Sequence, residues 1–221
     1  ANDGVCQLAG GVYQIFQQLP NQETESLVNQ KIAYIGPGTG LGGAFATITS
    51  EGLQFYTDGH IFDMEIQSES GLPVGAETVF SGTGFYNNTH ISLKEINENL
   101  NYLTQYESEI VQFGDYLYQI CKGIYLGKFK KLSAYQWATK DYQQVKNTRI
   151  FFMGGSVGSK GRIATQIIEI AQKKLEKEFK KLFKFYKIPN CDDAAIIGST
   201  LALNNYIKEN YHDKTYRNVE S

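Results

Sequence analysis

Hydrophobic positions along this chain fall into two rhythms, one at helical spacing and one in short β-type runs. Val5, Leu8, Val12, Ile15, Phe16 and Leu19 recur at i, i+3, i+4 and i+7. That stripe predicts a helix with one buried face, capped by Asn2 or Asp3 and closed at Pro20-Asn21. A polar link then runs to Gln30. Two apolar runs, 32–35 and 44–49, flank a glycine-rich stretch over 36–43, and 52–56 reads as a third strand. Beyond Ser92 the rhythm is helical again, with Ile110, Phe113, Leu117, Ile120 and Ile124 on one face of a long helix. Residues 132–147 predict a short helix and a loop around Trp137, and RIFFM at 149–153 a buried strand. Ile163, Ile167, Ala171, Leu175, Phe179, Leu182 and Tyr186 predict one amphipathic helix over 162–186, and 193–209 a final helix. The order of elements is that of an α/β fold, with no repeat or linker to divide it.

The glycine stretch is the first candidate for chemistry. Gly38-Thr39-Gly40-Leu41-Gly42-Gly43 satisfies G-x-G-x-x-G. A dinucleotide fingerprint needs a helix immediately afterwards, so that the pyrophosphate sits at the helix N-terminus. Here the following segment, AFATIT, has β character instead. The reading is therefore strand, glycine turn, strand. No Gly-Lys-Ser/Thr ending is present, which excludes a Walker-type loop. A glycine turn can still cradle phosphate, because successive N–H groups can converge on an anion. A plain hairpin turn needs only one or two glycines, so the phosphate reading is preferred.

Composition narrows the partners. The 221 residues are 42% hydrophobic and 20% charged with a net charge of -2, which suits an ordinary globular protein and offers no global attraction to nucleic acid. Seven lysines between Lys173 and Lys187 are interleaved with Glu176 and Glu178, the pattern of a solvated helix face. Cys6, Cys121 and Cys191 are distant and odd in number, pointing to a reducing compartment, and no apolar run approaches the length of a bilayer span. The expectation is a cytoplasmic protein. Because Ala1 stands directly before a helix cap, a processed chain or a piece of a longer one is also expected.

Three polar residues stand out. Asp3, at a helix N-terminus, is either a cap or a carboxylate held ionised by the helix dipole and able to accept a proton. His60 follows Gly59 and is either structural or a polar ligand group. Glu77 precedes Ser81-Gly82-Thr83-Gly84 in a turn-rich stretch. No histidine or cysteine pair has metal-ligand spacing, and no nucleophile–histidine–acid order stands out.

Together, Asn2-Asp3 opening a helix, GPGTGLG in a hairpin, Gly59-His60, AETVFSGTGF, and Gly154-Gly155 before a helix come in a familiar order. The sequence resembles the bacterial ATP-dependent glucokinases and, more loosely, the repressor/open-reading-frame/kinase (ROK) sugar kinases. The resemblance runs over nearly the whole chain but only the C-terminal two-thirds of such a kinase. It implies an actin-like ATPase domain of ribonuclease-H-like type, with a mixed sheet and helices on both faces. It implies that Asp3 is the catalytic base toward the sugar hydroxyl and that Asn2, His60 and Glu77 bind the sugar. It further implies that Gly38, Thr39 and Gly40 hold ATP phosphates, with Mg²⁺ carried by the nucleotide. Gly154 and Gly155 would then let the adenosine lie close. Thr57 stands where the family has a sugar-binding Glu, with Asp58 beside it. The zinc-binding cysteine cluster of many ROK kinases is missing, which favours the glucokinase branch. No Asp-x-Gly-Gly-Thr phosphate motif occurs in these residues; in the family it lies in a small lobe that would precede Asn2. The expectation is the large lobe of a glucose kinase, able to dimerise and inactive by itself. The rivals are a sugar sensor on the same fold and a kinase for another hexose or an N-acetylhexosamine.

Overall fold

The computed structural model describes residues 3–56, 59–130 and 143–207, with side chains to Leu201. Asn2, Thr57, Asp58 and most of the helix and loop expected around Trp137 lie outside the described residues.

The centre of the fold is a mixed five-stranded sheet in the order β3-β2-β1-β6-β7. β1 (Lys31–Pro37) and β2 (Leu41–Thr49) form the expected antiparallel hairpin, with Pro37 opposite Leu41, and β3 (Gly52–Phe55) extends it. β6 (Ile150–Met153) runs parallel to β1, and β7 (Lys184–Lys187) parallel to β6. β4 (Glu65–Gln67) and β5 (Pro73–Gly75) make a separate small ribbon.

The central strands alternate between two cores. Ile32, Tyr34, Ala44, Ala46, Ile48, Ile150 and Phe152 share a core with the first and last helices, α1 (Asp3–Phe16) and α10 (Cys191–Ile207). Ala33, Ile35, Phe45, Phe151 and Met153 point the other way, into a core shared with α7 (Glu107–Leu126) and α9 (Gly161–Phe179). A strand buried on both faces loses the polar alternation of an edge strand, which is why 32–35 and 150–153 read as continuous apolar runs. Burial of Leu8, Val12 and Ile15 holds α1 on the sheet, each worth about 1.5–3 kcal/mol at most.

Between the halves of the sheet the chain makes α3 (Ala76–Val79), α4 (Gly82–Thr89), α5 (Leu93–Glu98) and α6 (Leu100–Gln105). Phe80 and Phe85 dock on Phe113 of α7, with ring centroids 4.5 and 5.6 Å away. α5 opens with a capping box between Ser92 and Glu95.

Three expectations are corrected. The polar link after Pro20 contains a short helix, α2 (Asn21–Leu27), which buries Leu27 completely. The helix expected over 162–186 stops at Phe179, where Lys180 adopts a left-handed conformation (φ 54) and its N–H bonds the Glu176 carbonyl. Leu182, expected on the buried face, is 77% exposed, and the chain re-enters the sheet as β7. Helical spacing persists through Leu182 and Tyr186 by coincidence, and no glycine or proline marks the break. β7 lies at the sheet edge, where lysines such as Lys184 and Lys187 discourage pairing with another chain. The final helix begins at Cys191 instead of 193 and is described to Ile207; the expected end at 209 lies outside the described residues.

Candidate functional site

β1 and β6 are parallel neighbours, so the loops after Pro37 and after Met153 leave the same end of the sheet side by side. In open α/β sheets that carboxyl end is where ligands gather. The β1–β2 loop is tight, with the Gly38 N–H donating to the Gly40 carbonyl at 2.8 Å. The N–H groups of Thr39 and Gly40 donate to no described residue.

The start of α4 is laced to this loop. Gly82 N–H donates to the Gly38 carbonyl at 2.6 Å, and the Thr83 hydroxyl to the Thr39 carbonyl at 2.8 Å. Ser81 caps α4 by accepting from Gly84 N–H and donates its own hydroxyl to the Glu77 carbonyl. Glu77 Oε2 accepts from the Leu41 N–H at 2.7 Å. The two stretches most specific to the sequence resemblance are thus one hydrogen-bonded unit in space.

Gly38, Thr39, Gly82, Thr83, Ser156 and Lys160 line a cavity of about 640 Å³, with Tyr86 and the residues of α5 completing it. A Cβ at Gly38 would lie 3.9 Å from the Ser156 nitrogen, in ordinary contact and without a clash. Lys160 forms no ion pair among the described residues, whereas Lys94, across the cavity, lies 3.9 Å from Glu98. Asn97 Oδ1 accepts from the N–H groups of Arg162 and Ile163, supplying from α5 the cap that α9 lacks and closing one wall.

Gly154 and Gly155 do not line this cavity; Ser156 and Val157, the next residues, do. The space left by their missing side chains is taken by the protein itself. A Cβ at Gly154 would fall 2.3 Å from the Tyr34 ring, and one at Gly155 (φ +69) 2.3 Å from the Pro37 carbonyl oxygen. These glycines let the short α8 (Gly155–Gly158) pack directly on the end of β1.

Farther along the hairpin a line of glycines joins the segments that carry the polar candidates. A Cβ at Gly4 would lie 2.2 Å from the Gly43 carbonyl oxygen, and one at Gly43 would lie 2.4 Å from the Gly59 oxygen. The first turn of α1, the start of β2 and the segment leading to His60 therefore touch backbone to backbone. Asp3 is exposed in that first turn, and His60 is half-buried with its ring 5.6 Å from that of Phe62. Asp3, His60 and Glu77 lie outside the 640 Å³ cavity; Glu77 is joined to the loop through Leu41 and His60 through Gly59. Beneath them Tyr34 is buried, its ring filling the space opposite Gly36 and Gly154. Burial pushes the Tyr34 phenol well up, with smaller contributions from Cys191 and Asp3, so it stays neutral.

Tyr34, Tyr86, Asn97 and Lys160 were not singled out from the sequence. Lys160 could have been, since it follows the Gly154-Gly155-Ser156 turn and precedes a helix; the other three carry no local signal. Among the described residues no cluster of three or more His, Cys, Asp or Glu could hold a metal ion, and no helix is long and apolar enough to cross a membrane.

No family model matches the chain, and no curated protein matches it in sequence. Solved structures do match. A ROK family protein from Streptococcus pneumoniae in complex with sucrose superposes with a TM-score of 0.61 at 15% identity, covering 94% of this chain and 65% of that one. The ROK hexokinase from Thermus thermophilus gives 0.57 at 14% identity, covering 95% and 65%. A ROK family glucokinase from Streptomyces griseus in complex with glucose and AMPPNP gives 0.54 at 15% identity, covering 90% and 66%. The chain thus spans just under two-thirds of the length of these structures. It has the α/β, actin-like ATPase fold that the ROK sugar kinases share, with a mixed sheet and helices on both faces.

Proposed function

We propose that this chain is the large lobe of an ATP-dependent hexose kinase, with glucose as the first substrate to test. The observation that carries the proposal is the glycine hairpin itself. Its tip lines a cavity suited to a nucleotide, and Gly43, farther along it, meets the acid-bearing turn of α1 and the Gly59–His60 segment backbone to backbone.

In this reading the N–H groups of Thr39 and Gly40 receive the phosphate oxygens, and Lys160 adds a cation. Gly154 and Gly155 serve by placing Ser156 and Val157 on the cavity wall. Asn2, His60 and Glu77 hold the sugar hydroxyls. Asp3, in the first turn of a 14-residue helix, accepts the proton of the attacking hydroxyl. That oxygen then forms its bond to the γ-phosphorus as the bond to the ADP oxygen breaks. Mg²⁺, if carried in with ATP, would offset the charge of the phosphates that the Thr39 and Gly40 N–H groups hold. Glu77 has a second duty here, since its Oε2 holds the loop at Leu41 N–H.

A sugar panel in a coupled ADP-release assay on the full protein that contains this chain tests the proposal. ATP-dependent turnover of at least one hexose or N-acetylhexosamine is expected. The 221 residues alone should turn over little, because closure of two lobes excludes water from the reaction. Thr57, in place of an acid, favours one rival, a sugar sensor. That rival predicts sugar binding by calorimetry with no turnover of any sugar in the panel.

A further inference from the structure

The amino end of the sheet, opposite the glycine loop, carries an unusual concentration of positive charge. β1 and β6 pair with Ile32 opposite Ile150, so the residues one step earlier, Lys31 and Arg149, are cross-strand neighbours on one face. Adjacent strands lie ~4.8 Å apart, and like charges so opposed destabilise a sheet. The approach to each is the same: Asn29 and Asn147, both left-handed (φ 65 and 70), reverse the chain two residues before each cation. Lys181, in the turn after α9, joins them, and the three cations with both asparagines line one cavity of about 390 Å³.

No carboxylate lines that cavity. Among the described residues none of the three cations is in an ion pair; nearby Lys184, by contrast, is neutralised by Glu23 at 3.5 Å. Lys31 Nζ donates to the Lys146 carbonyl at 3.1 Å, and burial pulls its pKa down, as expected for an ammonium held without a counter-charge. An arrangement that costs folding energy and has no internal compensation is one that a ligand can compensate.

We infer that this cavity is a second anion site, taking a phosphate group either free or as the ester of a small metabolite. The Arg149 fork and the two ammonium groups supply charge, the asparagine amides supply donors, and the volume suits a molecule of sugar-phosphate size. It lies the length of β1, ~20 Å, from the glycine loop, so it does not depend on the kinase proposal.

Thermal unfolding and calorimetry of the full protein in inorganic phosphate, and separately in a hexose monophosphate, test the site, with sodium chloride holding ionic strength constant. Phosphate should raise the Tm of the unmodified protein and of Gly38→Val, which blocks the distant cavity, but not of Lys31→Met/Arg149→Gln. Without phosphate, that double variant should melt at or above the unmodified protein, because the like-charge contact is gone. Lys181→Met, on the exposed turn, keeps the fold in any case and should bind phosphate roughly tenfold more weakly. Tighter binding of the ester than of inorganic phosphate would identify an ester site, and equal binding a free-phosphate site. The inference is overturned if chloride gives the same stabilisation, if Lys181→Met binds as tightly as the unmodified protein, or if the phosphate shift survives in the double variant.

Discussion

Gly4→Ala separates the position of Asp3 from its presence. The substitution leaves every charged group in place and adds one methyl. That Cβ would lie 2.2 Å from the Gly43 carbonyl oxygen, about 1.2 Å short of ordinary contact at 3.4 Å. The atom it meets is strand backbone in the middle of the sheet, which cannot swing aside as a side chain would. The first turn of α1 must therefore lift from β2 by about 1 Å, while Leu8, Val12 and Ile15 hold the rest of the helix down. Two stability effects oppose each other. Overpacking costs about 1–3 kcal/mol. Replacing glycine by alanine inside a helix returns about 1 kcal/mol. The net loss is about 0–2 kcal/mol, so the protein stays folded. Catalysis is less forgiving, since a misplacement of about 1 Å at the base can cost on the order of 10²-fold. Measured on the full protein, kcat should fall by about that factor while Tm drops only a few degrees. An unchanged kcat with the fold intact would show that the glycine contact does not place Asp3, and would remove the main support for its role.

Further predictions follow from the same geometry. Asp3→Asn keeps the side chain's size but cannot take a proton, so kcat should fall by on the order of 10² or more with Tm nearly unchanged, as a coupled assay and a melting curve would show. Gly38→Ala should leave stability within about 0.5 kcal/mol, because its Cβ would make only ordinary contact with Ser156 and Gly155, yet weaken ATP binding measured by calorimetry. Gly155→Ala, at φ +69 and against the Pro37 carbonyl, should instead cost about 1–3 kcal/mol in urea unfolding. Burial raises the Cys121 thiol well above its ordinary value of 9.0. The folded state therefore keeps a proton that the unfolded state releases, and stability should fall as pH rises past 9.0. Cys121 should also resist alkylation until the protein unfolds; labelling of the native protein at pH 8, read by mass spectrometry, checks this.

What local pattern determined was the kind of element and the face it buries. The α1 stripe from Val5 to Phe16, the strand–glycine–strand order around Gly38, and the apolar runs at 32–35 and 150–153 each follow from a period within a few residues. Stereochemistry ties such a period to one backbone form. The resemblance in GPGTGLG and AETVFSGTGF extended that reading to the fold. Tertiary structure alone decided where periods stop and what the glycines are for. The helix ending at Phe179 breaks on no local signal; the chain leaves it because Phe183 can be buried and Lys184–Lys187 can pair with β6. Gly4, Gly43 and Gly59 are unremarkable in sequence, and only the packing of three distant segments shows that each gives way to the next one's backbone. Gly154 and Gly155 leave their side-chain space to Tyr34 and Pro37, which no local pattern shows. The clustering of Lys31, Arg149 and Lys181 is equally invisible along the chain, because strand register, not sequence spacing, sets which charges become neighbours.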